Sequence, residues 1–278
     1  MFLPTIQIDS SRCIHCGKCV QDCLAKILAL GPDGIPAFLP DSASRCFRCQ
    51  HCLSICPVGA FSWSGKKPED SELPGDLPDP GSMIHLLEQR RSIRSYCRRN
   101  VGTPILELIH SVMAFVPTGC NDHRLFFSCS DKMESTDRFR KAASDSVLNR
   151  LAAGTLPAKC AHFANLKPAL EAGKDIFFRN APHFAAISVP PESKDAHIDP
   201  YIAATQFELL ANSFGLGTCW GGMATDLFLS DDHLLKSLKI PEGYELKIMI
   251  LFGYPDVKYA RLPQPEPCSR VAVDGSDL

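Results

Sequence analysis

The chain has 278 residues, of which 45% are hydrophobic and 22% are charged, and its formal net charge is −2. This composition is that of a globular protein, and the near-neutral charge argues against non-specific binding to nucleic acid or to an anionic membrane. No apolar run is long enough to span a bilayer, and the first residues lack the basic and apolar segments of a secretory signal. We therefore expect a cytoplasmic protein with no nucleic-acid or membrane partner.

The 14 cysteines are concentrated near the start of the chain, where eight lie between Cys13 and Cys56. Disulfides rarely persist in a reducing cytosol, so this crowding predicts metal ligation. The same segment is an internal repeat of 33 residues, in which Ser11-Arg12-Cys13 recurs as Ser44-Arg45-Cys46. The other cysteines are scattered, at Cys97, Cys120, Cys129, Cys160, Cys219 and Cys268.

Each copy of the repeat has the spacing Cys-x2-Cys-x2-Cys-x3-Cys, which places three thiolates on one tight loop. Three such thiolates suit three irons of a cubane, and in two-cluster ferredoxins the fourth cysteine of each run ligates the other cluster. The spacing therefore predicts two [4Fe–4S] clusters. The expected ligands are Cys13, Cys16, Cys19 and Cys56 for the first cluster, and Cys46, Cys49, Cys52 and Cys23 for the second.

Zinc ligation and disulfide bonding both fit the cysteine run less well. Structural zinc usually takes two separated pairs of ligands, and disulfides between such close cysteines would be strained. The second run ends in Cys56-Pro57, as in the bacterial ferredoxin signature, whereas the first ends in Cys23-Leu24. His15 and His51 lie between ligands, and we expect them to be partly solvated because all eight sulfurs are present.

The predicted elements follow in chain order. Leu24–Leu30 and Ala60–Trp63 are short helical or extended pieces, and Gly65–Gly81, with four prolines and three glycines, is a linker. After it, helices and strands alternate, which predicts a sheet covered on both sides. The expected helices are Met83–Ser92 with Ser82 as N-cap, Pro104–Val116 with Thr103 as N-cap, Thr136–Ala153, Pro200–Phe214 and Asp231–Leu238. The expected strands are Leu125–Ser130, Phe184–Val189 and Tyr244–Phe252.

Arg90–Tyr96 places three arginines and two serine hydroxyls in one short segment. Guanidinium forks match phosphate oxygens and a hydroxyl adds a donor, so the segment is a candidate anion site. A solvated basic turn is the alternative that composition leaves open.

Four segments in order resemble the nitroreductase flavoprotein family. Arg90–Tyr96 resembles its opening motif, and Pro117–His123 is similar to its Pro-Ser-x-x-Asn-x-Gln loop. Gly215–Gly222 is similar to its late Gly-Leu-Gly-x-x-Trp segment, and Leu251–Pro255 resembles its last core strand and turn. The cysteine-rich start matches a known subset of that family. The resemblance implies a two-cluster ferredoxin-like domain at 1–65, a linker at 66–82 and an α+β FMN-binding domain at 83–278.

The resemblance also implies one FMN per subunit and a homodimer with FMN at its interface. Arg90 and Ser92 would hold the FMN phosphate, and Arg94 would lie at the N1/O2 edge of the ring, where a cation stabilises reduced flavin. Asn121 would hydrogen-bond the pyrimidine side, Gly221 and Gly222 would offer backbone N–H groups to N5 and O4, and Arg261 would complete the phosphate clamp. The residues implied at FMN are Arg90, Arg91, Ser92, Arg94, Pro117, Thr118, Gly119, Asn121, Trp220, Gly221, Gly222 and Arg261.

The chain departs from the family pattern at two positions. His123 replaces the loop glutamine, and Pro265 stands where many members have a second basic residue, so Arg270 is an alternative phosphate ligand. Cys120 and Cys219 lie near the expected flavin, either as small apolar fillers or as redox thiols.

These features favour an oxidoreductase. Electrons from a low-potential donor, such as reduced ferredoxin or another redox protein, would pass through the clusters to FMN and then to a small organic acceptor such as a nitroaromatic, quinone or enone. A non-catalytic relay to a partner protein, a dehydrogenase running in the opposite direction and a reductive dehalogenase are the alternatives. No dinucleotide fingerprint is present, which leaves the use of NAD(P)H open.

Overall fold

The computed structural model describes residues 3–273 and divides them into two compact units. The smaller unit contains the described residues up to Leu77, together with Pro117–Arg124 and Glu192–Asp195. The larger unit contains Pro78–Val116, Leu125–Pro191 and the described residues from Ala196 onward. Within residues 3–273, no helix has the length and apolar character needed to cross a membrane.

The smaller unit has two antiparallel strand pairs and two short helices. Strand β1 (Ile6–Ile8) pairs with β4 (Phe61–Trp63), and β2 (Leu28–Leu30) pairs with β3 (Pro36–Phe38). Helices α1 (Lys18–Asp22) and α2 (His51–Ser54) lie in the two cysteine runs. Five buried side chains form the core, namely Ile27, Leu28, Leu53, Phe61 and Trp63.

The larger unit is built on a four-stranded antiparallel sheet in the order β5-β6-β8-β7. Its strands are β5 (Phe126–Cys129), β6 (His183–Val189), β7 (Gly217–Trp220) and β8 (Glu245–Gly253). Its helices are α3 (Pro80–Gln89), α4 (Thr103–Val112), α5 (Met133–Ala153), α6 (Lys167–Glu171), α7 (Asp199–Ser213), α8 (Gly222–Ser230) and α9 (Asp232–Ser237).

Both faces of this sheet are buried. Successive residues of a strand point to opposite faces, and on β6 Phe184 and Ala186 enter the core cluster shared with α5 and α8. Ala185 and Ile187 enter a second cluster shared with α4 and α7. The α+β class and the sheet covered on both sides, which the sequence predicted, are therefore confirmed.

Three local features differ from the expectations. Helix α3 begins at Pro80 rather than Met83, because the Asp79 carboxylate, not Ser82, caps it by accepting from the N–H groups of Gly81 and Ser82 at 2.9 and 3.2 Å. Likewise, α4 begins at Thr103 itself, with Gly102 as N-cap. Strand β7 was not expected, since Gly215 and Gly217 indicated only the end of a helix.

The side chain of His183, at the start of β6, hydrogen-bonds two other segments in the core. Its side chain is fully buried and its ring stacks on Phe252. Nε2 accepts the N–H of Val101 at 2.9 Å, so the proton is on Nδ1, which donates to the carbonyl oxygen of Ser130 at 2.8 Å. Burial lowers the pKa of His183 below its ordinary value of 6.5, and the ring is neutral in the folded state.

We predict that His183 makes the unfolding free energy fall at acid pH. The unfolded chain takes up this proton below about pH 6.5 and the folded chain resists it, so stability is lost as pH drops, by up to about 1.4 kcal/mol per pH unit. Urea denaturation between neutral and mildly acid pH measures this slope. His183→Gln should be less stable with a shallower slope, whereas His85→Gln, at an exposed position of α3, should match the parent. An unchanged slope in His183→Gln would contradict the assignment.

Candidate functional site

The eight cysteines of the repeat line two separate cavities in the smaller unit. One cavity is lined by Cys13, Cys16, Cys19 and Cys56. The other is lined by Cys23, Cys46, Cys49 and Cys52. Each cavity thus brings together the four cysteines that the sequence assigns to one cluster, including the fourth cysteine taken from the other copy of the repeat.

The backbone of the two cysteine loops repeats along with the sequence. His15 and Gly17 of the first run have φ values of 55° and 70°, and Arg48 and Gln50, 33 positions later, have 57° and 59°. These left-handed residues turn the chain between successive cysteines, so that all three sulfurs of a run line one cavity.

The arrangement of these sulfurs fits a cluster better than a single metal ion. Within residues 3–273, no three histidine, cysteine, aspartate or glutamate side chains converge closely enough to hold one ion. In a cubane each thiolate binds a different iron, so the sulfurs surround a volume, whereas zinc requires all its ligands within about 2.3 Å of one point. Backbone N–H groups also reach two of the sulfurs, from Arg48 to Cys46 at 3.3 Å and from Ala60 to Cys56 at 3.2 Å.

Burial makes two of these thiols harder to deprotonate than ordinary thiols when no metal is bound. It raises the pKa of Cys52 to about 12 and that of Cys19 above its ordinary value. Thiolates are the ligands that iron needs, so its positive charge must displace these protons on binding.

In the larger unit, the arginine segment lies along strand β7. The N–H of Ile93 donates to the carbonyl oxygen of Thr218 at 2.7 Å, and Ser92 forms a parallel bridge with the same residue. Gly217 permits this approach, because a Cβ there would lie 2.4 Å from Ile93 Cγ1. The structure therefore brings Arg90, Ser92 and Arg94 beside the segment that ends in Trp220.

The end of strand β8 and the C-terminal tail lie beside the same segment. The N–H of Cys97 donates to Tyr254 O at 2.8 Å, and the N–H of Asp256 donates to Ser95 O at 3.0 Å. The guanidinium of Arg91 lies over the ring of Tyr259 at 5.0 Å, two residues before the exposed Arg261. Three of the four family-like segments are thus adjacent in the larger unit.

The fourth segment, Pro117–His123, packs in the smaller unit, and Pro117, Thr118 and Gly119 with it. There Asn121 Nδ2 donates to the carbonyl oxygen of Phe47 at 3.0 Å, between two cysteines of the second run, and Asn121 Oδ1 lies 2.8 Å from His123 Nε2. In this structure the amide of Asn121 is therefore used inside the smaller unit, and its expected flavin contact stays a prediction.

The two glycines after Trp220 differ in their backbone partners. The N–H of Gly221 donates to Met249 O at 2.7 Å, so it is not available to a flavin as the resemblance implied. Gly222 begins α8, where a first-turn N–H lacks an intrahelical acceptor and the helix end favours negative charge. A Cβ at Gly222 would meet no atom within 4 Å, so there is open space on the side of this residue where a side chain would lie.

Sequence reasoning missed two charged residues at this site. Glu208 of α7 is buried, with its carboxylate 3.5 Å from Arg90 Nη1. The sequence feature that could have indicated it is a glutamate directly after Phe207, on an otherwise apolar face of the helix. Arg179 lies near Cys219, whose pKa burial raises while the positive charges of Arg94 and Arg179 lower it. Nearby arginines thus give this region positive potential, which suits an anionic ligand.

The larger unit and the eight-cysteine unit together define an oxidoreductase that carries iron–sulfur ligands. The model of the nitroreductase family matches residues 87–254, and a model described as a 4Fe-4S dicluster domain matches residues 12–61. The chain therefore belongs to the nitroreductase family and has an N-terminal 4Fe–4S dicluster domain. A comparison with curated proteins gives no match.

Solved structures share the fold of the larger part of the chain. A nitroreductase with bound FMN from Bacteroides fragilis is 19% identical, with a TM-score of 0.55 over 69% of this chain and 98% of that one. An FMN-dependent nitroreductase from Clostridium difficile is 20% identical, with a TM-score of 0.53 over 68% and 98%. A nitroreductase with bound FMN from Desulfitobacterium hafniense is 19% identical, with a TM-score of 0.54 over 68% and 97%.

We predict that Gly217→Ala separates the arginine segment from β7. The added methyl would overlap Ile93, and such overpacking typically costs about 1–3 kcal/mol of stability. Thermal denaturation should show a lower melting temperature for this variant. Gly222→Ala is the matched control, since the space there is open and alanine suits a helix. Equal melting temperatures for the two variants would contradict the close approach.

Proposed function

We propose that this chain is an FMN-dependent oxidoreductase that accepts single electrons at two [4Fe–4S] clusters and reduces a small organic acceptor, such as a nitroaromatic, quinone or enone, at the flavin. The observation that carries the proposal is the sorting of eight cysteines into two four-cysteine cavities within a chain of the nitroreductase family. The division into a ferredoxin-like domain at 1–65, a linker at 66–82 and a flavin domain at 83–278 belongs to the same proposal.

The cationic segment supports FMN as the second cofactor. Neighbouring structures carry FMN by their own descriptions. In the proposal, Arg90 and Ser92 take the phosphate, Arg94 holds negative charge at the ring edge, and the first-turn amide of Gly222 is a further donor. FMN, when bound, supplies a centre that takes electrons singly and releases them in pairs.

An apolar groove supports a homodimer. It has a volume of about 820 Å³ and is lined mainly by side chains of α3 and α7, among them Met83, Leu86, Tyr201, Ile202 and Leu210. Met83, Tyr201 and Ile202 are large hydrophobic side chains that remain exposed on this face, and a second molecule packed there would remove them from water. In the proposal, a second copy of the chain covers this face, as the family resemblance implies.

The donor follows from the chemistry of the clusters. Clusters exchange one electron at a time, so the proposed donor is a low-potential one-electron protein such as reduced ferredoxin. Such donors act in the cytoplasm, which is the location that we propose.

We predict two complete clusters per chain. Anaerobically purified protein should contain about eight irons and eight acid-labile sulfides, and replacing Cys46, Cys49 and Cys52 together by alanine should leave about four of each. Cys268→Ala is the control, because this exposed cysteine lies outside the repeat, and its iron content should be unchanged. Stoichiometric zinc with little sulfide would disprove the assignment.

We predict that Arg90→Ala weakens FMN binding. A charge-assisted hydrogen bond contributes about 1.5–3 kcal/mol, so the dissociation constant should rise roughly tenfold or more. Fluorescence titration of flavin-free protein measures it. Arg98→Ala is the control, since Arg98 is exposed and pairs with Asp137 at 2.6 Å. If both variants bind FMN as the parent does, Arg90 is not a phosphate ligand.

The direct test of the function uses variants that lack one cluster in an otherwise full chain. Because Pro117–Arg124 pack in the smaller unit, deleting that unit would disturb this loop as well, so cysteine replacement is the cleaner change. We expect either three-cysteine replacement, at Cys13, Cys16 and Cys19 or at Cys46, Cys49 and Cys52, to abolish most acceptor reduction by reduced ferredoxin. Both variants should still reduce acceptor after chemical reduction of the flavin. Undiminished turnover with ferredoxin would show that electrons do not enter through the clusters. Failure of the unaltered chain to reduce any small acceptor would favour a non-catalytic relay of electrons to a partner protein.

A further inference from the structure

Glu208 is a buried acid in the middle of α7, and it sits among fixed donors. Only 4% of the residue is exposed. Its Oε1 accepts from Thr218 Oγ1 at 2.8 Å, and its Oε2 accepts from Trp220 Nε1 at 3.1 Å. A buried carboxylate is costly unless it is paired and hydrogen-bonded, so its partners define what it does.

The two donors on β7 fix the orientation of the carboxylate. Asn212 Nδ2 donates to Thr218 Oγ1 at 3.1 Å, which leaves the threonine hydroxyl proton to point at Glu208. The indole of Trp220, which stacks on Tyr201, holds the second oxygen. Since each oxygen has its own donor, the group cannot rotate freely.

Arg90 forms an ion pair with the oriented carboxylate of Glu208. Its Nη1 lies 3.5 Å from Glu208 Oε1, and its side chain is 37% exposed. One nitrogen of the guanidinium therefore faces the buried acid, while part of the side chain remains exposed to solvent. Thr218 connects the arginine segment to Glu208. Its carbonyl oxygen accepts the N–H of Ile93, and its hydroxyl donates to the carboxylate of Glu208.

We propose that Glu208 is a positioning residue that sets the guanidinium of Arg90 for the phosphate of FMN. The inference rests on the proposed function, since it requires a flavin phosphate at Arg90. Glu208 acts on the phosphate through Arg90 and touches neither flavin nor acceptor. Glu208 contributes by orienting the guanidinium. A guanidinium that is already oriented loses less conformational entropy on binding a phosphate than a mobile one does.

A purely structural acid would have a different effect. If Glu208 only secures Trp220 and β7, its replacement weakens every flavin that binds against that strand. If it acts through Arg90, its replacement weakens only flavins that carry a phosphate. FMN and riboflavin differ by that phosphate, so the ratio of their affinities separates the two roles.

The experiment compares Glu208→Gln with Glu245→Gln, an exposed glutamate of β8 paired with Lys247. Dissociation constants for FMN and for riboflavin are measured by fluorescence titration of the flavin-free, cluster-loaded chain. We expect Glu208→Gln to reduce the preference for FMN over riboflavin by about tenfold, the scale of one charge-assisted hydrogen bond. Glu245→Gln should keep the parental preference. In an Arg90→Ala background, Glu208→Gln should produce no further loss.

Two results would overturn the inference. One is an equal loss of affinity for both flavins, and the other is an unchanged preference. If Glu208→Gln does not fold, Glu208→Asp keeps the charge but withdraws it from Arg90, and the same two results apply. Failure of the parent chain to prefer FMN over riboflavin would instead count against the proposed phosphate site, and with it against this inference.

Discussion

The close contact between the arginine segment and strand β7 is the constraint on which the candidate flavin site depends. One backbone hydrogen bond, from Ile93 to Thr218 O at 2.7 Å, fixes the register of the two segments. Gly217 makes room for it, since any side chain there would overlap Ile93. The same threonine holds Glu208 through its hydroxyl. Cationic side chains are thus gathered at one strand edge by backbone geometry, and only then does their charge favour an anionic cofactor.

The smaller unit depends on a different constraint. Each of its two cavities is lined by three cysteines of one copy of the repeat and by the fourth cysteine of the other copy. In the described part of this unit, the apolar core cluster contains five buried side chains, which is few for a segment of this length. Small domains of this kind usually gain stability from disulfides or metals. Because each cavity takes cysteines from both copies, metal binding would also fasten the two halves of the unit to each other.

Much of this architecture could be predicted from sequence, for physical reasons. Cysteine spacing reflects the geometry of a cubane, and with the ferredoxin rule for the fourth cysteine of each run it predicted which four cysteines line each cavity. Alternating helices and strands indicated a sheet buried on both faces. The errors lie where context overrides local pattern: Asp79 competes with Ser82 for the helix N-terminus, and β7 forms despite its glycine because β8 and the arginine segment pair with it. Glu208 was missed because its partners are distant in sequence, and the hydrogen bond from Asn121 to Phe47 spans 74 positions.

The proposed function requires electrons to reach the flavin through the clusters. Its sharpest test is to mix the oxidised, cofactor-loaded chain with reduced ferredoxin under anaerobic conditions and to freeze samples at successive times. Paramagnetic resonance then follows reduced clusters and optical absorbance follows the flavin. If electrons enter through the clusters, reduced clusters accumulate first and flavin reduction follows. Most of this flavin reduction should be lost when Cys46, Cys49 and Cys52 are replaced by alanine. Flavin reduction that precedes cluster reduction, or that proceeds unchanged in this variant, would contradict the claim.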